Sequence, residues 1–162
     1  MEAKLRADLD ALGIVHEVIE HPAVFTVEES RAIDADIPGA HTKNLFLKDA
    51  GGQFWLVTVP AELRVDLKAL PAAIGSKRVS FGKAEDMERL IGVTPGSVTP
   101  LGAIADTERA VTVVLDSGLA AAARVNVHPL RNTATLGLSG AGLVRALTYW
   151  GHVPVIANIP AV

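Results

Sequence analysis

Apolar residues recur at helical spacing in some segments of the chain and alternate with polar residues in others. The spacing of Leu5, Leu9 and Leu12, followed by Gly13, predicts an amphipathic first helix. The same reasoning predicts helices over 2–12, 27–33, 65–73, 84–91 and 140–150, a helical turn over 117–123, strands over 14–20, 46–49, 53–59, 77–81, 111–116, 124–127 and 133–138, and a closing apolar segment over 153–159. Because these elements interleave at irregular spacing, we expect a single α+β domain over 1–162 and not a doubly wound sheet.

Three local signals sharpen this outline. Thr26 followed by Glu29 forms a capping box, which predicts the start of the second helix. The pair Gly51-Gly52 between two apolar runs predicts the turn of a β-hairpin. The segment 92–102 fits neither period, and its three glycines and two prolines predict a rigid, irregular loop that exposes backbone amides and carbonyls.

Composition excludes several classes of protein. Of the 162 residues, 49% are hydrophobic and 20% are charged, which is ordinary for a globular chain. The absence of cysteine excludes disulfides, zinc–thiolate sites and thiol nucleophiles. No apolar run reaches the length of a membrane span, and the first residues do not resemble a signal peptide, so we expect a cytoplasmic protein without a membrane partner.

The charge of the chain is unevenly distributed. Its net value of −3 does not suggest nucleic-acid binding, and we expect no DNA partner. Residues 1–36 hold three bases against nine acids, whereas residues 61–83 hold five bases against two acids. A local basic face of this kind attracts phosphate over a short range, although a solvated helix face explains the same charges.

Familiar catalytic motifs are absent from the sequence. It contains neither a phosphate-binding G-x-x-x-x-G-K-[ST] nor a dinucleotide-binding G-x-G-x-x-G after a strand, and its five histidines lack H-E-x-x-H spacing. A G-x-S-x-G nucleophile elbow is also missing. We therefore expect no metal and no cofactor, and any hydrolysis would have to proceed without a side-chain nucleophile.

Polar groups interrupt apolar backbone at three places: residues 42–44 (TKN), the loop 92–102, and residues 128–133 (HPLRNT). An ammonium at the mouth of an apolar strand loses hydration, so Lys43 there suggests a partner. Each place also has a structural explanation. Lys43 can extend its charge into water, the loop can serve only as a connection, and His128 can be a half-buried histidine with satisfied hydrogen bonds.

Together these segments resemble the YbaK-type aminoacyl-tRNA editing domains, and within them the freestanding ProX branch. The resemblance rests on residues 42–47 (TKNLFL), 96–100 (GSVTP) and 128–133 (HPLRNT), and on the earlier His21-Pro22 and Thr26–Glu29. It extends over almost the whole chain, with the order and spacing of the motifs in agreement. It implies a mixed, partly closed β-sheet flanked by helices.

The resemblance also implies a reaction, which is hydrolysis of the ester of mischarged alanyl-tRNA(Pro) to alanine and free tRNA(Pro). A synthetase pocket for proline discriminates poorly against a smaller apolar amino acid, because a few methylenes are worth only about 1–3 kcal/mol. A second site must then admit alanine and exclude proline. We therefore expect a small, apolar editing site, and transient contact with prolyl-tRNA synthetase or an elongation factor.

The family pattern assigns roles to particular residues. The catalytic set is Lys43, Asn44, His128 and Gly96; the substrate-binding set is Thr42, Ser97, Val98, Thr99 and Pro100; and the set that meets the tRNA acceptor stem is Lys48, Lys77, Arg78 and Lys83. Lys43 would hold the terminal phosphate or the ester oxygens electrostatically. His128 would orient substrate or water, and the ribose hydroxyl of the tRNA would help to activate that water.

Other functions stay open at this point. The chain could act on cysteinyl-tRNA(Pro), or on a seryl or threonyl ester, because the residues that line the pocket decide this choice. It could also be a tRNA-binding module without activity, although the joint presence of Lys43, the glycine loop and His128 argues against that reading.

Overall fold

A computed structural model describes residues 1–24 and 26–162. The helices are α1 (Glu2–Ala11), α2 (Val27–Ala35), α3 (Leu70–Ile74), α4 (Ala84–Ile91), α5 (Ser117–Ala120) and α6 (Gly140–Tyr149). The strands are β1 (His16–Glu20), β2 (Ala40–Asp49), β3 (Phe54–Pro60), β4 (Val79–Phe81), β5 (Val111–Asp116), β6 (Val125–Val127), β7 (Ala134–Leu138) and β8 (Val155–Ala157). Two short 3₁₀ helices, Pro95–Ser97 and Pro100–Ala105, connect α4 to β5.

The strands form one mixed sheet in the order β1-β7-β6-β2-β3-β5-β8, and β4 pairs with β2 beside this path. The start of β2 pairs in parallel with β6, while the rest of β2 pairs antiparallel with β3 and β4. The predicted α+β fold with a mixed sheet flanked by helices is confirmed. Its central feature is β2, which joins the two halves of the sheet.

Apolar side chains pack on both faces of the sheet around β2 and β3. Phe46 and Leu56 belong to a large core that also contains residues of α1, α4 and α6. Their neighbours Leu47 and Trp55 belong to a second, smaller core with α3 and β8. Because successive side chains of a strand point to opposite faces, residues 41, 43, 45 and 47 share the face of the smaller core, and residues 42, 44 and 46 share the other.

The local signals in the sequence operate as predicted. The hydroxyl oxygen of Thr26 accepts a hydrogen bond from the amide of Glu29 at 3.1 Å, which caps the first turn of α2. Gly52 has φ of 86° in the turn between β2 and β3. Gly92 has φ of 68° at the end of α4, a backbone region that favours glycine.

Some boundaries differ from the predicted ones. β2 begins at Ala40, so Lys43 and Asn44 lie inside the strand and not in front of it. The extension has a partner, since Ala40 and His41 pair with β6, and such pairing is invisible in a local pattern. The helix predicted over 65–73 begins only at Leu70. The Asp66 carboxylate accepts hydrogen bonds from the amides of residues 68 and 69, so the preceding residues form a turn.

Candidate functional site

Asn44 is held firmly on the face of β2 that belongs to the large core. Its side-chain amide donates to the carbonyl oxygen of Val98 at 3.0 Å, and its side-chain oxygen accepts from the hydroxyl of Thr58 at 2.6 Å. Thr58 is fully buried on β3. Asn44 therefore ties two central strands to the loop 96–100, and each end of its carboxamide has a partner in the fold.

Lys43 lies on the opposite face of β2 and is partly buried. It lines a groove of about 190 Å³ with Leu45, Val65, Leu67 and Phe81. Among the described residues, no carboxylate pairs with its ammonium and no other group forms a hydrogen bond with it. A partly desolvated cation without a partner is an unfavourable arrangement that an anionic ligand would relieve.

The loop after α4 is more regular and more buried than the sequence suggests. Ser97, Thr99 and Pro100 are buried, and the hydroxyl oxygen of Thr99 accepts from the amide of Leu101 at 3.3 Å. Gly96 is exposed. Of the five residues 96–100, Gly96 is therefore the most accessible to a ligand.

The loop 96–100 also meets the turn that follows β6. A Cβ atom on Gly96 would lie 3.5 Å from Nδ2 of Asn132. In the same turn, the guanidinium of Arg131 donates to the carboxylate of Glu2 at 2.7 Å and to that of Glu20 at 2.6 Å. These bonds hold the turn against α1 and β1. Leu130 has φ of 71°, a conformation that side chains of its kind rarely adopt.

His128 opens this turn and lines a cavity of about 20 Å³. Burial lowers the pKa of His128, and the nearby His21 adds to this effect, whereas the Ala134 carbonyl and Asp34 oppose it. Nδ1 of His128 lies 3.4 Å from the oxygen of Ala134, so in the neutral ring Nδ1 carries the hydrogen and Nε2 is left as an acceptor. His128 can thus accept a hydrogen bond from water at neutral pH.

The other residues that line this cavity are His21, Val24, Ser30, Ile33, Asp34 and Thr135. Nε2 of His21 lies 2.9 Å from the hydroxyl oxygen of Thr135. The cavity is small and is lined mainly by polar side chains, whereas the sequence predicts a small, apolar editing site. Sequence reasoning missed Ser30, Asp34 and Thr135, because they are far apart in the chain and belong to no local motif.

The face of β2 that carries Lys43 contacts α2 through His41. His41 shares this face, and its Nε2 donates to the carbonyl of Ile37 at 2.8 Å. Its Nδ1 lies 3.3 Å from Oδ1 of Asp34. Asp34 in turn lines the His128 cavity. Lys43 and this cavity therefore lie on one side of the sheet, and Asn44 lies on the other with the loop 96–100.

Thr42 precedes Lys43 in β2, and its hydroxyl forms a hydrogen bond within the fold. Its hydroxyl donates to the carbonyl of Asn126 on β6 at 2.7 Å. The Asn126 side chain donates to the carbonyl of Pro38 and accepts from Arg124. These bonds hold the start of β2 against β6, so Thr42 contributes to the position of Lys43.

The four predicted acceptor-stem residues are exposed around β4: Lys48, Lys77, Arg78 and Lys83. Lys48 lies over the ring of Phe54, with 5.3 Å from Nζ to the ring centre. The buried carboxylate of Asp49 accepts from the amide of Lys77 at 3.3 Å and from the indole of Trp55 at 3.1 Å. These bonds fix the base of β4 against the hairpin and hold the basic residues at one corner of the sheet.

Two further observations concern metal binding and cavity size. Across residues 1–24 and 26–162, no group of three or more histidine or acidic residues is placed to hold a metal ion. A cavity of about 700 Å³ lies between the start of β1 and the start of α6. It is lined by none of the predicted site residues, so size alone does not identify the functional site.

No helix in the described part of the chain is long and apolar enough to cross a membrane.

Comparisons with known proteins identify the family to which the chain belongs. Residues 21–146 match the model of the aminoacyl-tRNA editing domain family. The chain is 40% identical over 142 residues to the prolyl-tRNA editing protein ProX of Acetoanaerobium sticklandii, with 86% of this chain and 87% of that protein covered. It is 38% identical to the prolyl-tRNA synthetase associated domain-containing protein 1 of Mus musculus, with 98% and 96% covered.

A solved structure of a candidate trans-editing enzyme for prolyl tRNA synthetase superposes with a TM-score of 0.74 at 22% identity. The superposition covers 99% of this chain and 97% of the other, and supports the fold alone. The chain belongs to the aminoacyl-tRNA editing domain family. The family resemblance and the class of activity predicted from the sequence, an aminoacyl-tRNA deacylase, are thereby confirmed.

Proposed function

We propose that this protein hydrolyses alanyl-tRNA(Pro), so that alanine is not inserted at proline codons. The observation that carries the proposal is the partnerless, partly buried Lys43 on the same side of the sheet as the small His128 cavity. A cation on the same side of the sheet as a small cavity suits an ester whose acyl part is short and whose alcohol part carries phosphate. The family membership supports the aminoacyl-tRNA as the source of that ester.

In the proposed mechanism, water attacks the ester carbonyl and the ribose oxygen leaves with a proton. Negative charge develops on the carbonyl oxygen, and the Lys43 ammonium stabilises it or the neighbouring phosphate. Nε2 of His128 accepts a hydrogen bond from the water and orients it, and the free ribose hydroxyl helps to remove its proton. The products are alanine and tRNA(Pro).

Asn44 and the loop 96–100 act in this proposal as a support for the reacting groups. The carbonyl of Val98 is engaged by Asn44 on the face of β2 opposite Lys43, so this loop would support the strand and would not contact the terminal ribose. Ser97, Thr99 and Pro100 are buried and would fix the loop. Thr42 would fix the start of β2 through its bond to β6.

A substrate with a hydroxyl-bearing amino acid is a second candidate. Ser30, Asp34 and Thr135 give the His128 cavity a polar lining, which suits serine better than alanine. Threonine adds a methyl group, and a cysteine side chain is larger and less polar than that of serine. The small volume of about 20 Å³ favours the smallest side chain, which is that of alanine.

The experiment is a deacylation assay with tRNA(Pro) charged separately with alanine, serine, cysteine and proline. We expect the highest kcat/KM with alanyl-tRNA(Pro) and no measurable hydrolysis of prolyl-tRNA(Pro). A higher kcat/KM with the seryl ester would favour the second candidate, in which the amino acid removed carries a hydroxyl group. Equal inactivity towards all four esters would exclude the deacylase and leave a module that binds tRNA.

A further inference from the structure

Phe81 is an aromatic side chain that the fold does not use. It is 64% exposed at the end of β4, and β4 pairs with β2 and with no other strand in the described part of the chain. Leu47 on β2 is its direct partner in the antiparallel ladder. Because paired residues point to the same face, Phe81 lies on the face of β2 that carries Lys43 and Leu45.

Phe81 and Lys43 lie along the same groove of about 190 Å³. Leu45, Val65 and Leu67 form the rest of its lining. Lys43 is four strand positions from Leu47, and at 3.3 Å per residue this separates the two along β2 by about 13 Å. The groove therefore offers an apolar floor between a cation and an exposed aromatic ring.

We call the residues that adjoin the groove lining in the sequence its rim, and they are mainly basic. Arg64 and Lys68 flank the two lining residues of the segment 65–67, and both are exposed. Lys77, Arg78 and Lys83 are exposed within four residues of Phe81. Of the acids in the same segment, Glu62 is exposed and the Asp66 carboxylate is engaged with backbone amides. An anion with a flat, apolar part would complement both the rim and the floor.

We propose that Phe81 is a stacking platform for a nucleobase of the unpaired 3′ end of the tRNA. This inference rests on the proposed function for the identity of the RNA. Aromatic side chains beside a basic groove bind single-stranded nucleic acid by stacking, and each base has an apolar face that suits such a ring. A base on Phe81 places the sugar–phosphate chain over the groove and directs the terminal ester towards Lys43.

The test measures, by fluorescence anisotropy, the Kd of the protein for an uncharged acceptor-stem RNA with a single-stranded CCA tail. We expect Phe81→Ala to raise the Kd about tenfold, as the loss of one base–aromatic stack predicts. Phe81→Tyr keeps the ring and should leave the Kd within about a factor of two of the wild-type value. Tyr149→Ala is a matched control, since Tyr149 is 58% exposed on α6 and lies outside the groove.

A second RNA without the tail identifies the part of the ligand that meets Phe81. Wild type and Phe81→Ala should bind this tail-less stem equally well. The proposal is overturned if wild type and Phe81→Ala have the same Kd for the tailed RNA. It is also overturned if the substitution weakens binding of the tailed and the tail-less RNA by the same factor. Loss of self-association in Phe81→Ala without any change in RNA binding overturns it too, and assigns the exposed edge of β4 to a second copy of the chain.

The outcome is separable from that of the proposed function. The wild-type protein could hydrolyse none of the four charged tRNAs and still bind the tail in a Phe81-dependent way. That result would contradict the proposed deacylase function and support the stacking role of Phe81. Alternatively, the wild-type protein could hydrolyse alanyl-tRNA(Pro) while the Phe81→Ala protein retains the wild-type KM and Kd. That result would support the proposed deacylase function and contradict the stacking role of Phe81.

Discussion

The two faces of β2 treat adjacent polar residues in opposite ways. Asn44 has both ends of its carboxamide engaged, by Thr58 and by the loop carbonyl of Val98. Lys43 has no partner among the described residues and borders a groove. The Asn44 face takes part in the hydrogen bonds of the fold, and we propose that the Lys43 face binds a ligand. In this proposal, adjacent residues of the TKN motif have different roles, Asn44 in support and Lys43 in chemistry.

The largest effect that separates the two faces should come from Lys43→Ala. We expect kcat/KM for alanyl-tRNA(Pro) to fall by about 100-fold or more, because a charge that stabilises the transition state is lost. The free energy of unfolding should change by less than about 0.5 kcal/mol, since no hydrogen bond or ion pair within the protein is removed. Lys4→Ala, which removes an exposed lysine on α1 outside the groove lining, should leave kcat/KM unchanged.

A smaller effect on activity should come from the basic corner around β4. Charge reversal by Arg78→Glu should weaken tRNA binding about tenfold at low salt and lower the slope of log Kd against log salt by about one. Arg6→Glu on α1 reverses an equally exposed arginine away from β4 and serves as the control. Identical affinities and salt slopes in the two variants would mean that the basic corner does not meet phosphate.

The supporting face should respond to Asn44→Ala with a loss of stability. The substitution leaves the buried hydroxyl of Thr58 and the carbonyl of Val98 without their partner, which costs about 1–3 kcal/mol. Urea unfolding measures this loss. In a double-mutant cycle with Thr58→Val, the combined loss should be smaller than the sum of the two single losses. Strict additivity would show that the two side chains do not interact.

The smallest effect concerns pH. Burial lowers the pKa of His128, so below the ordinary histidine pKa of about 6.5 the unfolded chain binds more protons than the folded one. Stability should therefore fall as the pH drops from 7.5 towards 5.5. His128→Asn removes this contribution, so the stability of the wild type relative to the variant should decrease over the same interval in urea unfolding. A constant difference between the two proteins would show that His128 has an ordinary pKa.

The sequence predicts the elements whose signals are local. The helix 84–91 and the strand 111–116 are found at the predicted bounds, because helical spacing, Gly92 and a β-branched run specify them within a few residues. The start of β2 and the late start of α3 depend on pairing with β6 and on the Asp66 turn, which no local pattern contains.

The candidate site divides in the same way. Lys43, Asn44 and His128 are recognisable in the sequence through family resemblance, but their distribution over two faces follows from the register of β2. Ser30, Asp34 and Thr135 come from a helix and a distant strand, and only the fold brings them to His128. The polar lining of the cavity could not be predicted for this reason.

The most direct test of the central claim is to locate the ester end of the substrate on the protein. A stable analogue, alanine joined by an amide to the 3′ carbon of adenosine, can be titrated into methyl-labelled protein and followed by NMR. The methyl signals of Leu45, Val65 and Leu67 in the groove should shift, whereas that of Leu101 beneath the opposite face should not. Shifts confined to Leu138 and Ile14 at the large cavity would contradict the account.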